Sequence, residues 1–399
     1  MSSVANTFRQ ISSVTWMNLQ TLRERLSSSI VSIVGIGGVV AVVLAVLSIS
    51  EGFRAALDLS GAEDVAIVLR DGASDEMSSG HSQDAVRVIG DAPGVARDAE
   101  GPLISPELYV IIDVPMKSTG TDANVPFRGV GPRAREFRED FRIVEGRNFA
   151  TGMNELIVGS GAARQFAGLE VGRTVKLGST EWAVVGRFTD GGSISESELW
   201  TDVTVLQGAY NRGNSVQSVR AQLESAAALR QLKDALSSDP RVSVSVRSEQ
   251  QFYSEQSRVL RGMVTTIGIF IAVLMGAGAI FAALNTMYSA VAARTREIAT
   301  LRALGFGAFP VIVSVLTEAL LLGLVGGIIG GSVAYLGFNG YQASTLNWAS
   351  FSQVTFAFTI TPKLLVTGIA YALLLALIGG LLPGIRAARL PVTAGLREL

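Results

Sequence analysis

The chain has 399 residues, 48 % of them hydrophobic and 17 % charged, with a net charge of −1, no Cys and a single His, His81. This is too apolar for an ordinary soluble protein and too charged for one embedded throughout, so a membrane protein with one large aqueous domain is expected. Thiolate chemistry, disulfide frameworks and His-rich metal centres have almost no residues to draw on, and no catalytic or metal site is assigned.

In chain order, residues 1–28 come first, with Phe8, Ile11, Leu19, Leu22 and Leu26 at near-helical spacing and arginines towards the end. They suit an amphipathic helix lying on a membrane face, with a frayed terminus as the alternative. Residues 29–50 are the first of four mostly apolar stretches, the others being 262–284, 311–336 and 364–385. Each has roughly the 20 residues a helix needs to cross a bilayer core. The first is too long for the apolar core of a cleaved leader and is read as a retained anchor.

Residues 51–258 read as an α+β domain. "DVAIVLRDG" predicts a strand, "SQDAVRVIGDAPG" a helix stopped at Pro93 and Gly94, and "VQSVRAQLE", "SAAALRQLKDALSSDP" and "RVSVSVRS" repeat the strand, helix, strand grammar. Residues 60–119 and 216–247 are expected to share one α+β layer, with 120–200 inserted as a β-rich lobe. No pair of carboxylates is marked out by its context. His81, in "SSGHSQD", is expected in a solvated loop, and "GSGAAR" at 159–164 lacks the full phosphate-binding glycine pattern. None of the four lysines, Lys117, Lys176, Lys233 and Lys363, follows a glycine, so there is no P-loop, and any driving nucleotide belongs to another polypeptide.

Residues 287–309 contain "RTREIATLRALGF", a charged helical segment between apolar stretches. Val291, Ile298 and Leu301 fall on one side with Arg296 roughly opposite, and Gly305 supplies a helix stop. The third span carries Gly323, Gly327 and Gly331 four residues apart, a spacing that permits close helix contact, although glycine is common in membrane helices. Glu318 is the acid inside that span, either snorkelling to the inner interface or serving as an intramembrane polar site. Residues 337–363 read as a short, nearly uncharged outer loop, and 386–399 as a tail.

Segments 1–28, 287–309 and 386–399 together hold nine basic residues (Arg9, Arg23, Arg25, Arg294, Arg296, Arg302, Arg386, Arg389 and Arg397) and three acidic ones (Glu24, Glu297 and Glu398). By the positive-inside rule they face the cytoplasm with both termini, and 51–258, with 22 basic and 30 acidic residues, is extracytoplasmic.

"RTREIATLRALGF", the following "VLTEALLLGLVGGIIG" and the ending "LPGIRAARLPVTAGLREL" resemble the permease subunits of the MacB/FtsX-like class of ABC transporters. "EGRNF", "NELIVGSGAARQF", "VGRTVKLG" and "EWAVVGRF" resemble the extracytoplasmic core of the same class, and Ala299 departs from the Gly that the class often has. The resemblance implies a dimer of permease copies in a bacterial inner membrane, with ATP and Mg on a separate ATPase subunit. It also implies coupling through the cytoplasmic helix, placed here on Arg294, Arg296, Glu297, Ile298, Leu301, Arg302 and Gly305. Outer partners in the class include periplasmic adaptors and cell-wall hydrolases; membrane lipids surround the spans, and nucleic acid is not a partner. Export, lipoprotein release and hydrolase control all stay open, as does a membrane-anchored sensor that uses no ATP.

Overall fold

A computed structural model describes residues 10–17, 26–347 and 352–391. The readings placed on 1–9, 18–25 and 392–399 lie outside the described residues. In chain order the elements are a helix at 10–17 (α1), α2 (Leu26–Asp58), β1 (Val65–Arg70), α3 (Gln83–Gly90), β2 (Arg97–Asp98), β3 (Gly101–Pro102), β4 (Ile104–Pro115), β5 (Asp122–Val130) and β6 (Phe141–Gly146). There follow β7 (Glu155–Gly159), α4 (Ser160–Gln165), β8 (Thr174–Leu177), β9 (Thr180–Asp190), a 3₁₀ turn (Ile194–Ser197), β10 (Leu199–Asp202), α5 (Val203–Ala209), β11 (Ser218–Gln222), α6 (Ala228–Ser238) and β12 (Val244–Ser248). The chain closes with α7 (Glu249–Ala293), α8 (Thr295–Ala303), α9 (Ala308–Phe338), β13 (Gln342–Asn347), β14 (Ser352–Ala357) and α10 (Pro362–Ala388).

These elements form two compact units. A helical unit comprises 1–51, 263–341 and 358–399, and a sheet unit comprises 52–262 with 342–357. Among the described residues four helical stretches are long and apolar enough to span a membrane: Ser29–Asp58, Gly262–Ala293, Ala308–Phe338 and Pro362–Ala388. Each outruns its apolar core because helix hydrogen bonds close within the segment whatever the solvent. The last begins at a cap: the Thr361 hydroxyl accepts from Leu364 N at 3.3 Å, and Pro362 follows in the first turn, where its missing N–H costs nothing.

Glycine decides the packing of the helical unit. On one side of α9, a Cβ added at Gly323 would lie 2.5 Å from Ala376 Cβ, and one at Gly327 would lie 2.9 Å from Ala372 Cβ, both on α10. Gly331 has Leu365 of α10 and Leu44 of α2 as its neighbours. On the other side, a Cβ at Gly326 would lie 3.0 Å from the Ile33 carbonyl, and one at Gly330 would fall inside the Gly37 carbonyl of α2. α9 is thus the helix against which two others lie almost backbone to backbone, the contact small residues allow in lipid.

In the sheet unit the main sheet runs β12, β1, β11, β4, β5, β10, β7, β9, β6, with β8 paired to β9. β4 is the hinge of this order, because Ile104 to Glu107 pair with β11 while Leu108 to Pro115 pair with β5. Through β4 the β-rich stretch joins the first layer in one sheet. From Trp182 to Asp190 β9 alternates buried and half-exposed residues, the period-two pattern of a strand with one covered face. Its Trp182 meets Phe127 of β5 edge to face at 4.9 Å in the main core, while α3 and α6 supply Ile89, Leu232 and Leu236. The connection 337–363, expected as a short loop, holds the β13–β14 hairpin, which is part of the sheet unit. There Thr355 N donates to Ser197 Oγ at 2.8 Å and Thr355 Oγ1 donates to Gln165 Oε1 at 2.7 Å.

Gly330→Ala is expected to lower the thermal midpoint of the purified chain by several degrees, since overpacking a tight contact costs about 1–3 kcal/mol. Gly38→Ala, at a position with open space around it, serves as the control and leaves the midpoint unchanged. Equal midpoints for both variants in a thermal melt would refute the packing role.

Candidate functional site

The segment between the second and third spans is built from a break in the helix. α7 ends at Ala293, Arg294 adopts φ −110° and ψ 11°, and α8 starts at Thr295. Ile298 and Ala299 are buried, and Ile298 packs with Met287, Val291, Val311 and Val315. Arg296, Glu297 and Thr300 are exposed, whereas Leu301 and Arg302 are half-buried.

The far end of α8 is closed by a Schellman motif. Phe306 N donates to Leu301 O at 3.1 Å and Gly305 N to Arg302 O at 3.2 Å, with Gly305 at φ +94°, a conformation that glycine adopts without strain. Leu304, within this motif, is 72 % exposed, and Phe309, beyond it, is 60 % exposed.

Arg294 turns inward. Its Nη1 donates to Glu318 Oε2 on α9 at 3.1 Å, the two side chains being 5 % and 6 % exposed. Glu318 therefore lies in a buried ion pair rather than reaching towards an interface. A cavity of about 20 Å³, lined in part by Val14 of α1, Arg294, Ile298 and Glu318, sits beside the pair. At the other end of α8, Arg302 Nη1 donates to the carbonyl of Ala388, the last residue of α10. The segment predicted to couple thus separates into an exposed face of Arg296, Glu297 and Thr300, and two arginines engaged with neighbouring helices. Gly323, Gly327 and Gly331 contribute to the α9 contacts and lie away from α8.

The sheet unit holds a second cluster that no sequence pattern marked. Arg128 of β5, 2 % exposed, donates to Glu198 at 2.7 and 2.8 Å, to Glu76 at 2.7 and 3.0 Å and to Glu107 at 2.8 Å. Arg220 of β11 donates to Glu107, to Glu249 at 2.5 Å and to the Tyr253 hydroxyl at 3.0 Å. Ser218 and Trp200 donate further to Glu76 and Glu198, at 2.6 and 2.7 Å. Burying charge is tolerable only with such partners. The available signal was one arginine within each of the strand segments "PFRGV" and "SVRAQ". The glutamates come from distant loops and strands, and only the fold assembles them.

Burial pushes the Glu76 carboxyl up, but Arg128 and Arg220 more than reverse this and lower it from 4.5 to about 2. Burial pushes Tyr253 up to about 12. His81 is a correction to the sequence reading: it is buried, its backbone bridges to Val216, and its Nε2 lies 3.2 Å from Val68 O. Burial lowers its pKa below the ordinary value, because a charged ring would lose solvation there. Among the described residues no group of three or more His, Asp or Glu is arranged to hold a metal ion.

Comparison with known families matches residues 269–392 to the FtsX-like permease C-terminal family and residues 29–239 to the MacB-like periplasmic core domain. The chain is 23 % identical over 300 residues to the macrolide export ATP-binding/permease protein MacB of Bdellovibrio bacteriovorus, covering 69 % of this chain and 44 % of that protein. It is 25 % identical over 274 residues to the uncharacterized ABC transporter permease YknZ of Bacillus subtilis, covering 64 % of this chain and 66 % of that one. It therefore spans less than two thirds of the length of either relative. The periplasmic region of MacB from Actinobacillus actinomycetemcomitans aligns over 48 % of this chain and 92 % of that structure, with 13 % identity and a TM-score of 0.35.

The depressed Glu76 carboxyl stabilises the fold fully above pH 4.5, and that contribution is lost as the pH falls from 4.5 to about 2. Acid titration of the full chain, followed by tryptophan fluorescence, is expected to show a shallower loss across this window in Glu76→Gln, together with lower stability at neutral pH. An acid limb unchanged by the substitution would refute the assignment.

Proposed function

We infer from one premise, that this chain belongs to the MacB-like and FtsX-like family of ABC transporter permeases, that it is the membrane-spanning component of an ATP-driven complex. In this reading an ATPase unit outside these 399 residues binds ATP and Mg, and its closure presses on α8. The movement passes through the spans to the sheet unit, which works on the outer side of a bacterial plasma membrane. A second copy of the chain completes the complex.

One observation carries the reading most directly. α8 is a short helix with one face packed into the helical unit and the other, Arg296, Glu297 and Thr300, directed to solvent. Its Schellman stop at Gly305 and the exposed Leu304 beside it add an apolar contact next to the charged ones. Aligned charges around a small apolar anchor suit a groove on a soluble partner, since charge complementarity sets register and partner choice. The absence of a Gly-Lys pair in the sequence agrees with nucleotide binding elsewhere. Of the kinds of outer work in this class, export is favoured by the likeness to a protein named for macrolide export. Lipoprotein release and hydrolase control are the other members of the same proposal.

Reversing both charges, Arg296→Glu with Glu297→Arg, is expected to reduce the ATPase retained on the affinity-tagged chain from native membranes at least about tenfold, because like-charge juxtaposition costs several kcal/mol. Expression and membrane insertion should be unchanged, since both side chains are exposed. Undiminished retention and hydrolysis in the double variant would sink the docking assignment.

A further inference from the structure

Three arginine contacts link four elements of the helical unit, α7, α8, α9 and α10. Arg294, at the start of α8, is paired with Glu318 of α9 at 3.1 Å. Arg302, near the end of α8, donates to the Ala388 carbonyl of α10. Arg386 of α10 lies over the Tyr288 ring of α7, 5.4 Å from its centroid.

Each contact has its own physical reason. Glu318 and Arg294 are both withdrawn from solvent, so removing either leaves an uncompensated buried charge, the costly way to break such a pair. Ala388 belongs to the last turn of its helix, where carbonyls lack intrahelical donors and the helix dipole is negative, so a guanidinium is favoured there. A guanidinium over a tyrosine ring gains a cation–π attraction. None of the three uses the exposed face of α8.

We infer that Arg294, Arg302 and Arg386, with Glu318 and Tyr288, are positioning residues that form a collar binding α8 to α9 and α10. The inference rests on reading α8 as the element that receives force, and it divides the segment by task. Arg296 and Glu297 meet the partner, while Arg294 and Arg302 hold the helix that carries them. The consequence is mechanical. The backbone at Arg294 is not helical, so α8 joined to α7 through that residue alone would bend there and dissipate a push. With Arg294 fixed to α9 and Arg302 to α10, displacement of α8 carries both helices along, and the glycine contacts extend it from α9 to α2.

The chain has no cysteine, so Thr300→Cys gives a unique spin-label site on the exposed side of α8. In the full chain, reconstituted in lipid nanodiscs without any ATPase, the label spectrum is expected to contain a slow component that reports a held helix. Glu318→Gln and Arg302→Gln should each remove it, the exchange Arg294→Glu with Glu318→Arg should restore it, and Arg296→Glu should leave it in place. A slow component that survives both single substitutions overturns the collar. Should Glu318→Gln fail to fold, the exchange decides: a folded protein with a mobile α8 overturns the collar, and one with a held α8 supports it. A held α8 in a chain that retains no ATPase would instead count against the proposed function and leave the collar standing.

Discussion

Charge taken out of water is the constraint on which the rest of this structure depends. Arg128 and Arg220 sit on central strands of a sheet that covers them, and Arg294 lies against a membrane-spanning helix. A guanidinium stays protonated at any accessible pH, so each must be matched by carboxylates or carbonyls wherever the chain puts it. In the sheet unit the match is a network drawn from β4, β5, β11, the start of α7 and the loops carrying Glu76 and Glu198. In the helical unit the match includes the carboxylate of Glu318 and the carbonyl that ends a helix. The pairing ties each arginine to a particular neighbour, and so determines which elements lie together.

Glycine supplies the complementary constraint. Where charge is absent, α9 meets α2 and α10 at distances that leave no room for a Cβ. In lipid there is no hydrophobic drive between helices, so close backbone packing replaces it. The same helix carries Glu318 one turn before Leu322, at the end of the glycine contacts, so α9 is engaged by packing along one part of its length and by the arginine pair near another.

Division of labour along thirteen residues follows from this. "RTREIATLRALGF" contains three arginines that look equivalent as letters, yet Arg294 and Arg302 are turned to other helices while Arg296 faces solvent. What separates them is helical phase together with the position of α9 and α10. Residues 296, 297 and 300 project from one side, and the two end residues reach around to the neighbouring helices.

The four spans, the mixed domain between the first two, and the stop at Gly305 were legible in the sequence, because each follows from local rules: the length of an apolar run, the period of a strand, and the one residue that takes positive φ freely. Composition also excluded thiol chemistry, and the glycine–lysine test excluded a P-loop. Other features depended on contacts between residues far apart. His81 sits among polar letters and is buried, because its backbone bridges to Val216 across more than a hundred residues. Glu318 read either as a carboxylate snorkelling to the interface or as an intramembrane polar site, and the partner that buries it, Arg294, lies twenty-four residues earlier in the chain. The charge network of the sheet unit draws on residues between 76 and 253, and nothing local announces any of its glutamates. Local sequence determined which segments are helix, strand and span, since those depend on neighbours in the chain. Only tertiary structure decided which charges meet, because a buried arginine is satisfied by whatever the fold brings to within three ångströms of it.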